Sequence, residues 1–565
     1  MRRSIRLVVL VLVFALALVS MSVAFAQDDD YKIIYTGRQM GPSDIPTLDP
    51  SQASDVPSVS VIAEIFPELG RLHEENVVVE PGMATWTVSD DGLVYTFSIT
   101  PEVPWVSYNA DTEQVEQVMD ADGNPRYVTA SNFVTTFQRT MDPLVASDYS
   151  GVLAAWVVGG AEWTGSDPEA SEEERAALLD ALGIVALDDY TLELTVPRAS
   201  AAVESVISMW VTTASPTWLI EEVGDFWIEP ENIASYGPFA VKDWVHDESL
   251  TMIKNPFFPG SNSIPQANVD EVVFQFLDSD PQLAAFEAGD LDVSEVPVSA
   301  IDRIRSDEEL SAALHSDFGT CTYYYGFNVT RPPFDDARAV RAFSYAIDRQ
   351  AIVDNITRRG ETPAGFFTLP NMVAAPQQAD YPEFAMRYDA EAAVADWESY
   401  LADTGQSAGD FNLSLLHNTS DLHGALAQAV QQMWAETLGV NVQISSQEFG
   451  TYLDLRRDAD IYRAGWCFDY PDANNWYFDV FHSSNDPDNH FLNAEYDAIV
   501  EAGAVAETPE ERAAIYADAE RLLVHDAASI APVYFYSTQD LTRPGIERTY
   551  SRITREYYEK WDISG

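Results

Sequence analysis

Lysine is nearly missing from this chain: Lys32, Lys242, Lys254 and Lys560 are the only four in 565 residues. Arginine brings the cations to 31, against 91 aspartates and glutamates, and the formal charge is −60. A surface of that sign repels phosphate backbones and anionic headgroups, which disfavours binding to nucleic acid or to a membrane surface. It also opposes folding by self-repulsion unless counterions screen it, a pattern that suits a saline habitat.

Enzyme signatures are missing as well. The eight histidines contain no His-Glu-x-x-His zinc pattern, and His417 and His423 lie six apart, a poor spacing for one helical face. There is no P-loop and no Gly-x-Ser-x-Gly elbow. Asp403-Thr404-Gly405 has the letters of an aspartic-protease loop, yet it occurs once and follows a helical stretch. A helix-ending turn is the better reading. Asp120, Asp122 and Asn124 resemble a calcium loop, but Pro125 stands where that loop requires glycine, so they read as a hairpin tip at Asp122-Gly123. No catalytic centre, metal or cofactor is expected.

Long apolar runs are absent with one exception. Arg2, Arg3 and Arg6 precede an apolar stretch from Leu7 to about Val19, and Ala24-Phe25-Ala26 comes just before Gln27. Residues 1–26 therefore read as an export signal, too short before its small-residue site for a membrane anchor. No cysteine follows the cleavage site, so no lipid anchor is expected. Without the three signal arginines the charge becomes −63 (−60 − 3). The remaining 539 residues (565 − 26) should be exported, soluble and not inserted in a membrane, and they are too many for one core. Cysteine is scarce too: Cys321 and Cys467 are the only two. In an exported chain they favour a disulfide, whose closed loop would contribute roughly 4–5 kcal/mol on the chain-entropy account. Two separate buried thiols are the alternative.

What is present is a regular interleaving of short strands and helices, which argues for α/β or α+β lobes. Strands are expected over Lys32 to Tyr35, Thr191 to Val196 and Ala531 to Tyr536. Trp86 and Val88 lead into Asp90-Asp91-Gly92, and Leu93, Tyr95, Phe97 and Ile99 alternate after it, which predicts a hairpin with one buried face. Ser171 with Glu174 forms a capping box before a short helix. Longer helices are predicted over 334–353, 422–437 and 509–524.

The chemistry concentrates in Arg463-Ala464-Gly465-Trp466-Cys467-Phe468-Asp469-Tyr470. A carboxylate among Trp466, Cys467 and Tyr470 would be partly buried and in need of a cationic partner. That partner is either an internal arginine or a ligand. Asp469 and Arg463 together suit a ligand carrying both an amine and a carboxylate, such as a peptide.

Ordered motifs along the mature chain resemble the peptide/nickel-type extracellular solute-binding proteins of ABC importers. They are Pro81-Gly82-Met83-Ala84 with Trp86 and Asp90-Asp91-Gly92, then Thr129-Ala130-Ser131 with Arg139 and Asp142-Pro143. Tyr236-Gly237-Pro238-Phe239 with Trp244 and Asn255-Pro256 follows, and then Pro332-Pro333-Phe334 with Ala346-Ile347-Asp348-Arg349. Cys321 to Tyr325, Asn418 to His423 and Arg463 to Tyr470 resemble strings of the oligopeptide-binding subgroup.

The resemblance implies an α/β fold of the periplasmic-binding-protein type (cluster C) in three lobes around a hinged cleft. Lobe I would comprise 27–66, 197–320 and 537–565, lobe II 67–196 and lobe III 321–536. It implies the Cys321–Cys467 disulfide, Asp469 for the peptide ammonium, and Arg463 and His423 for its carboxylate. Tyr149 would stand near the amino end. Backbone at Ser54, Asp55 and Val56, and at Gly465, Trp466 and Cys467, would pair with the peptide. The implied partners are small peptides and an ABC permease with its ATPase, met by a monomer.

Three departures stand out. Thr357 replaces a lysine, beside Arg358 and Arg359. Phe449 replaces a tryptophan in one pocket. Glu113 to Tyr127 is longer than usual and would form its own hairpin. A dipeptide or oligosaccharide ligand, a secreted hydrolase and a surface-layer role are the competing readings.

Overall fold

The computed structural model describes residues 31–75, 78–199, 202–506, 508–550 and 555–564. The export signal expected over 1–26 lies outside them. Ten strands form one continuous path: β1 (Ile33–Thr36), β2 (Phe239–Val245), β3 (Ser249–Lys254), β4 (Glu271–Gln275), β5 (Val293–Glu295), β6 (Leu314–Phe327), β7 (Leu413–Asn418), β8 (Val442–Gln447), β9 (Ile461–Cys467) and β10 (Ile530–Thr542). Their spatial order is β2-β3-β4-β1-β5-β10-β6-β9-β7-β8, with Thr362–Pro363 added against β10. Parallel pairs (β1 with β4 and β5, β7 with β8 and β9) stand between runs of antiparallel ones, so the sheet is mixed.

Two large cores flank this path. Ile34, Phe66, Trp105, Phe133, Trp210 and Tyr236 belong to one. Tyr323, Phe343, Trp397, Trp434, Trp476 and Tyr534 belong to the other. The long strands β6 and β10 run from one half to the other. Leu314 to Phe318 pair with Ser537 to Leu541, and Thr322 to Gly326 pair with Ile530 to Phe535, the register slipping between Phe318 and Thr322. Gly319 sits at that slip, where a Cβ would come within 2.6 Å of the Tyr536 backbone oxygen. Only glycine permits so close an approach.

Local rules account for most of the elements. The Asp90-Asp91-Gly92 hairpin forms as read, joining Ala84–Val88 to Val94–Ile99 with Gly92 at φ +72°. The Ser171–Glu174 capping box begins the helix Glu172–Asp180. Helix α1 (Val56–Ile65) is capped by Asp55, and α2 (Ser279–Ala288) by Asp278. Helix α3 (Asp421–Leu438) runs from Ser420 to a left-handed Gly439, and α4 (Ala473–Phe481) starts from Asp472. Asp403-Thr404-Gly405 ends a helix, with Gly405 at φ +70°.

The helix read as continuous over 334–353 is two pieces, Ala337–Tyr345 and Arg349–Ile352. Asp348 recaps the second through the Ala351 N–H, and buried Arg349 binds the carbonyls of Ser344 and Ile347, taking them out of the helical ladder. The strand read over 531–536 extends to Ile530–Thr542. Within Glu113 to Tyr127, Gln114–Gln117 pairs backwards with Val106–Asn109, and a second tight turn from Asp120 to Asn124 follows. The stretch therefore forms its own hairpin, Met119 bridging Pro125 antiparallel across the Asp122-Gly123 tip, in addition to the pairing of Gln114–Gln117 with the preceding strand.

Candidate functional site

Strand β9 carries the site because its second edge is open. β6 pairs with it from Ile461 to Cys467, whereas β7 pairs only with Ile461 and Tyr462. Beyond Tyr462 no strand among the described residues covers that edge. Across from it the chain passes through Ser54 and the extended Asp55 before turning into α1. Between them lies a cleft of about 400 Å³, within the range of small-ligand sites. Trp466 packs against both large cores.

All eleven residues named as ligand-binding from the sequence line this one cleft: Ser54, Asp55, Val56, Tyr149, His423, Phe449, Arg463, Gly465, Trp466, Cys467 and Asp469. Cys321 lines it too, directly opposite Cys467 in the β6–β9 ladder and bonded to it with sulfurs 2.01 Å apart. The disulfide pins the end of β9 from which Asp469 projects.

Asp469 is buried, and its environment is unusual for a buried charge. Its Oδ2 accepts from Asn475 Nδ2 at 3.1 Å and from the Tyr149 hydroxyl at 3.3 Å. Asn475 is held in one orientation, since its Oδ1 accepts from the Asp469 N–H and the Trp466 indole N–H, both at 3.1 Å. Its amide nitrogen must therefore face the carboxylates of Asp469 and Asp479. No cation lies within 4 Å of Asp469 among the described residues. Burial pushes its carboxyl up to about 6, against the Asn475 donor, the field of Arg555 and the Tyr149 hydroxyl. The internal arginine partner weighed for this residue is not its arrangement.

The other end of the cleft is cationic. Arg463 donates to Asn418 Oδ1 at 3.1 Å and to the Tyr536 hydroxyl at 3.0 Å, lies over the Tyr323 ring, and has no carboxylate partner among the described residues. His423 lies beside it; burial, with Arg463 next, holds the imidazole well below its usual range and so neutral. Arg359 completes the group. Arg463 Nε, Arg359 Nε and His423 Nδ1 are all buried without a hydrogen-bond partner. A buried guanidinium N–H left in that state is costly unless something accepts from it.

Several residues escaped the sequence reading. Of the two arginines after Thr357, Arg358 turns outward in a left-handed conformation and donates from one guanidinium nitrogen to both Asp302 oxygens, while Arg359 lines the cleft. Thr357 itself is buried. The basic pair was visible, but backbone handedness decides which member points inward. Asn475, Arg555 and Tyr536 had no local signal. Asp55 caps α1 through Ser58 and is pushed up to about 6 by burial. Phe449 stacks on Tyr452 with centroids 6.2 Å apart, forming an apolar wall.

Comparison with known proteins supplies the family and the fold. Residues 78–488 match the middle region of the bacterial extracellular solute-binding proteins, family 5. The chain belongs to that family. It is 29% identical over 510 residues to the periplasmic oligopeptide-binding protein OppA of Escherichia coli K12, covering 89% of this chain and 88% of that one. It superposes on the E. coli murein tripeptide binding protein MppA with a TM-score of 0.82 and 25% identity, covering 95% and 99% of the two chains. The unliganded open form of MppA superposes with only 0.59. The two halves here are thus arranged unlike that open form. The same fold is seen in Haemophilus influenzae OppA solved with RPPGFSPFR, at 24% identity and TM-score 0.82 over 95% of this chain and all of that one.

Proposed function

We propose that this chain is the extracytoplasmic binding component of an ABC importer, that it captures oligopeptides of about two to five residues or longer, and that it hands them to a membrane permease driven by a separate ATPase. The observation that carries this reading is the pairing of opposite unmet charges along one open strand edge. Among the described residues Asp469 lacks a cation and Arg463 and Arg359 lack a carboxylate partner, with neutral His423 beside them. A peptide zwitterion supplies both.

The strand edge supplies the rest. A main chain laid along β9 and the 54–56 segment would bind through backbone hydrogen bonds that do not depend on sequence, while the end groups set orientation. From Arg463 to Cys467 the strand covers about 13 Å at roughly 3.3 Å per residue, the length of an extended tri- or tetrapeptide. The names of the OppA and MppA relatives support peptides over sugars. The same reading makes the chain a binder rather than a catalyst, exported as a monomer without a lipid anchor.

Closure would bring together lobe I (27–66, 197–320, 537–565) and lobe III (321–536), with lobe II (67–196) beside them. The slip at Gly319 and Tyr536 in β6 and β10 is where the hinge would bend. Calorimetric titration of ligand-stripped protein with a free tetrapeptide and its N-acetylated twin tests the proposal. Tight binding of the free form, lost on acetylation, is expected. Equal binding of both would remove Asp469 as the ammonium anchor, and binding of neither would remove this peptide class.

A further inference from the structure

One carboxylate joins helices from two hydrophobic clusters. Asp278 caps α2, its Oδ1 accepting from the Ser279 N–H at 2.7 Å, and its Oδ2 accepts from the backbone N–H of Asp421 at 2.9 Å. Asp421 is the first residue of α3, so this N–H is among those a helix leaves unpaired at its start. Ser420, the cap of α3, serves the His423 N–H instead. Asp278 therefore acts as a second cap for a helix 143 residues away. Its own helix packs through Leu283 and Phe286 with Leu541, whereas α3 packs through Leu426, Val430 and Trp434 in the core with Tyr323.

The position of this contact matters. Asp278, Ser420 and His423 line the cleft, and Asn418, three residues before Asp421, accepts from Arg463. The contact therefore stands just beyond the cationic end. Three carboxylates gather there, of Asp278, Asp280 and Asp421; Asp278 is the main cause holding the Asp421 carboxyl above its ordinary range, with burial and Asp280 adding to it. Inside the contact a terminal carboxylate would meet guanidinium groups; outside it would meet carboxylates.

Building on the peptide-capture reading, we propose that Asp278 is a latch across the cleft, setting how long a peptide is held and ending the cleft at Arg463. A carboxylate at a helix N-terminus is favoured by the exposed N–H groups and the helix dipole, and opening the cleft breaks that contact. A longer peptide has to pass between Asp278 and Asp421 and place its own carboxylate among theirs.

Two substitutions at one position separate the hydrogen bond from the charge. Asp421→Asn removes the charge and keeps the N–H; Asp421→Pro removes both. Proline is accepted at the first helical position, and Ser420, at φ −172° and ψ 138°, already has the extended backbone that a residue before proline adopts. Stopped-flow dissociation of a tetrapeptide from the full chain should be about tenfold faster for the proline variant than for the asparagine variant, the equivalent of one lost cap. The ratio of octapeptide to tetrapeptide affinity should rise in the same comparison. Asp278→Ala, which removes the acceptor, should also speed dissociation. Equal dissociation from the two Asp421 variants overturns the latch, and an unchanged ratio overturns its part in selecting length. Failure of the wild type to hold any peptide would sink the capture reading itself, and the latch with it.

Discussion

At the scale of single residues, the site is built by leaving charges unmatched where most proteins match them. The chain has many buried ion pairs, such as Arg71 with Glu559 at 3.0 Å and Arg38 with Glu556 at 2.9 Å. Asp469 and Arg463 are exceptions, and a ligand is the natural complement to both. Replacing Asp469 with alanine should weaken tetrapeptide binding by about 2–5 kcal/mol, the usual effect of stripping the partner from a buried charge; near-wild-type affinity in the calorimeter would refute the assignment. Binding should also depend on pH. With its carboxyl near 6, Asp469 is protonated below that value, and affinity should fall about tenfold for each further pH unit. Unliganded protein should show the opposite sign in stability. Its folded carboxyl is raised above the ordinary 3.8, so the folded chain holds the extra proton between about 4 and 6, and this contribution grows as pH falls through that window. Titrations with the Asp469→Asn variant, which cannot ionise there, should lose the contribution of this carboxyl to both effects, while that of Asp55 remains.

At the scale of elements, much was legible because the rules are local. Asp90-Asp91-Gly92 makes a turn, Ser171 with Glu174 makes a cap, and Gly405 and Gly439 end helices, all within four or five residues of the signal. The reading failed where distant groups intervened. Arg349 breaks a periodic helix because it reaches the carbonyls of Ala364 and Pro532 as well as its own turn, which no spacing pattern reports. The disulfide belongs to this scale too, since it joins the paired ends of β6 and β9. Replacing both cysteines with serine should lower unfolding free energy by roughly 4–5 kcal/mol on the chain-entropy account, measured by denaturant titration. Peptide affinity should fall with it, because the strand end that positions Asp469 is no longer pinned.

At the scale of the whole molecule, charge and hinge dominate. A net −60 has to be held together against its own repulsion. Thermal stability should therefore rise as salt is raised from tens of millimolar to about one molar, as the screening length drops from tens of ångströms to about three; a flat response would remove the saline reading. Small-angle scattering should report a smaller radius of gyration when a tetrapeptide is added, as the halves close on the cleft.

The sequence by itself determined the charge, the order of short elements and the residues of the Arg463–Tyr470 motif, because composition, capping and turn chemistry act over a few neighbours. Only the tertiary structure decided that Tyr149 meets Asp469 across 320 positions, that Arg359 rather than Arg358 faces the cleft, and that Asp278 caps a helix 143 residues away. Those contacts depend on how β6 and β10 carry one half of the chain against the other, and nothing within a few residues of each partner encodes that path.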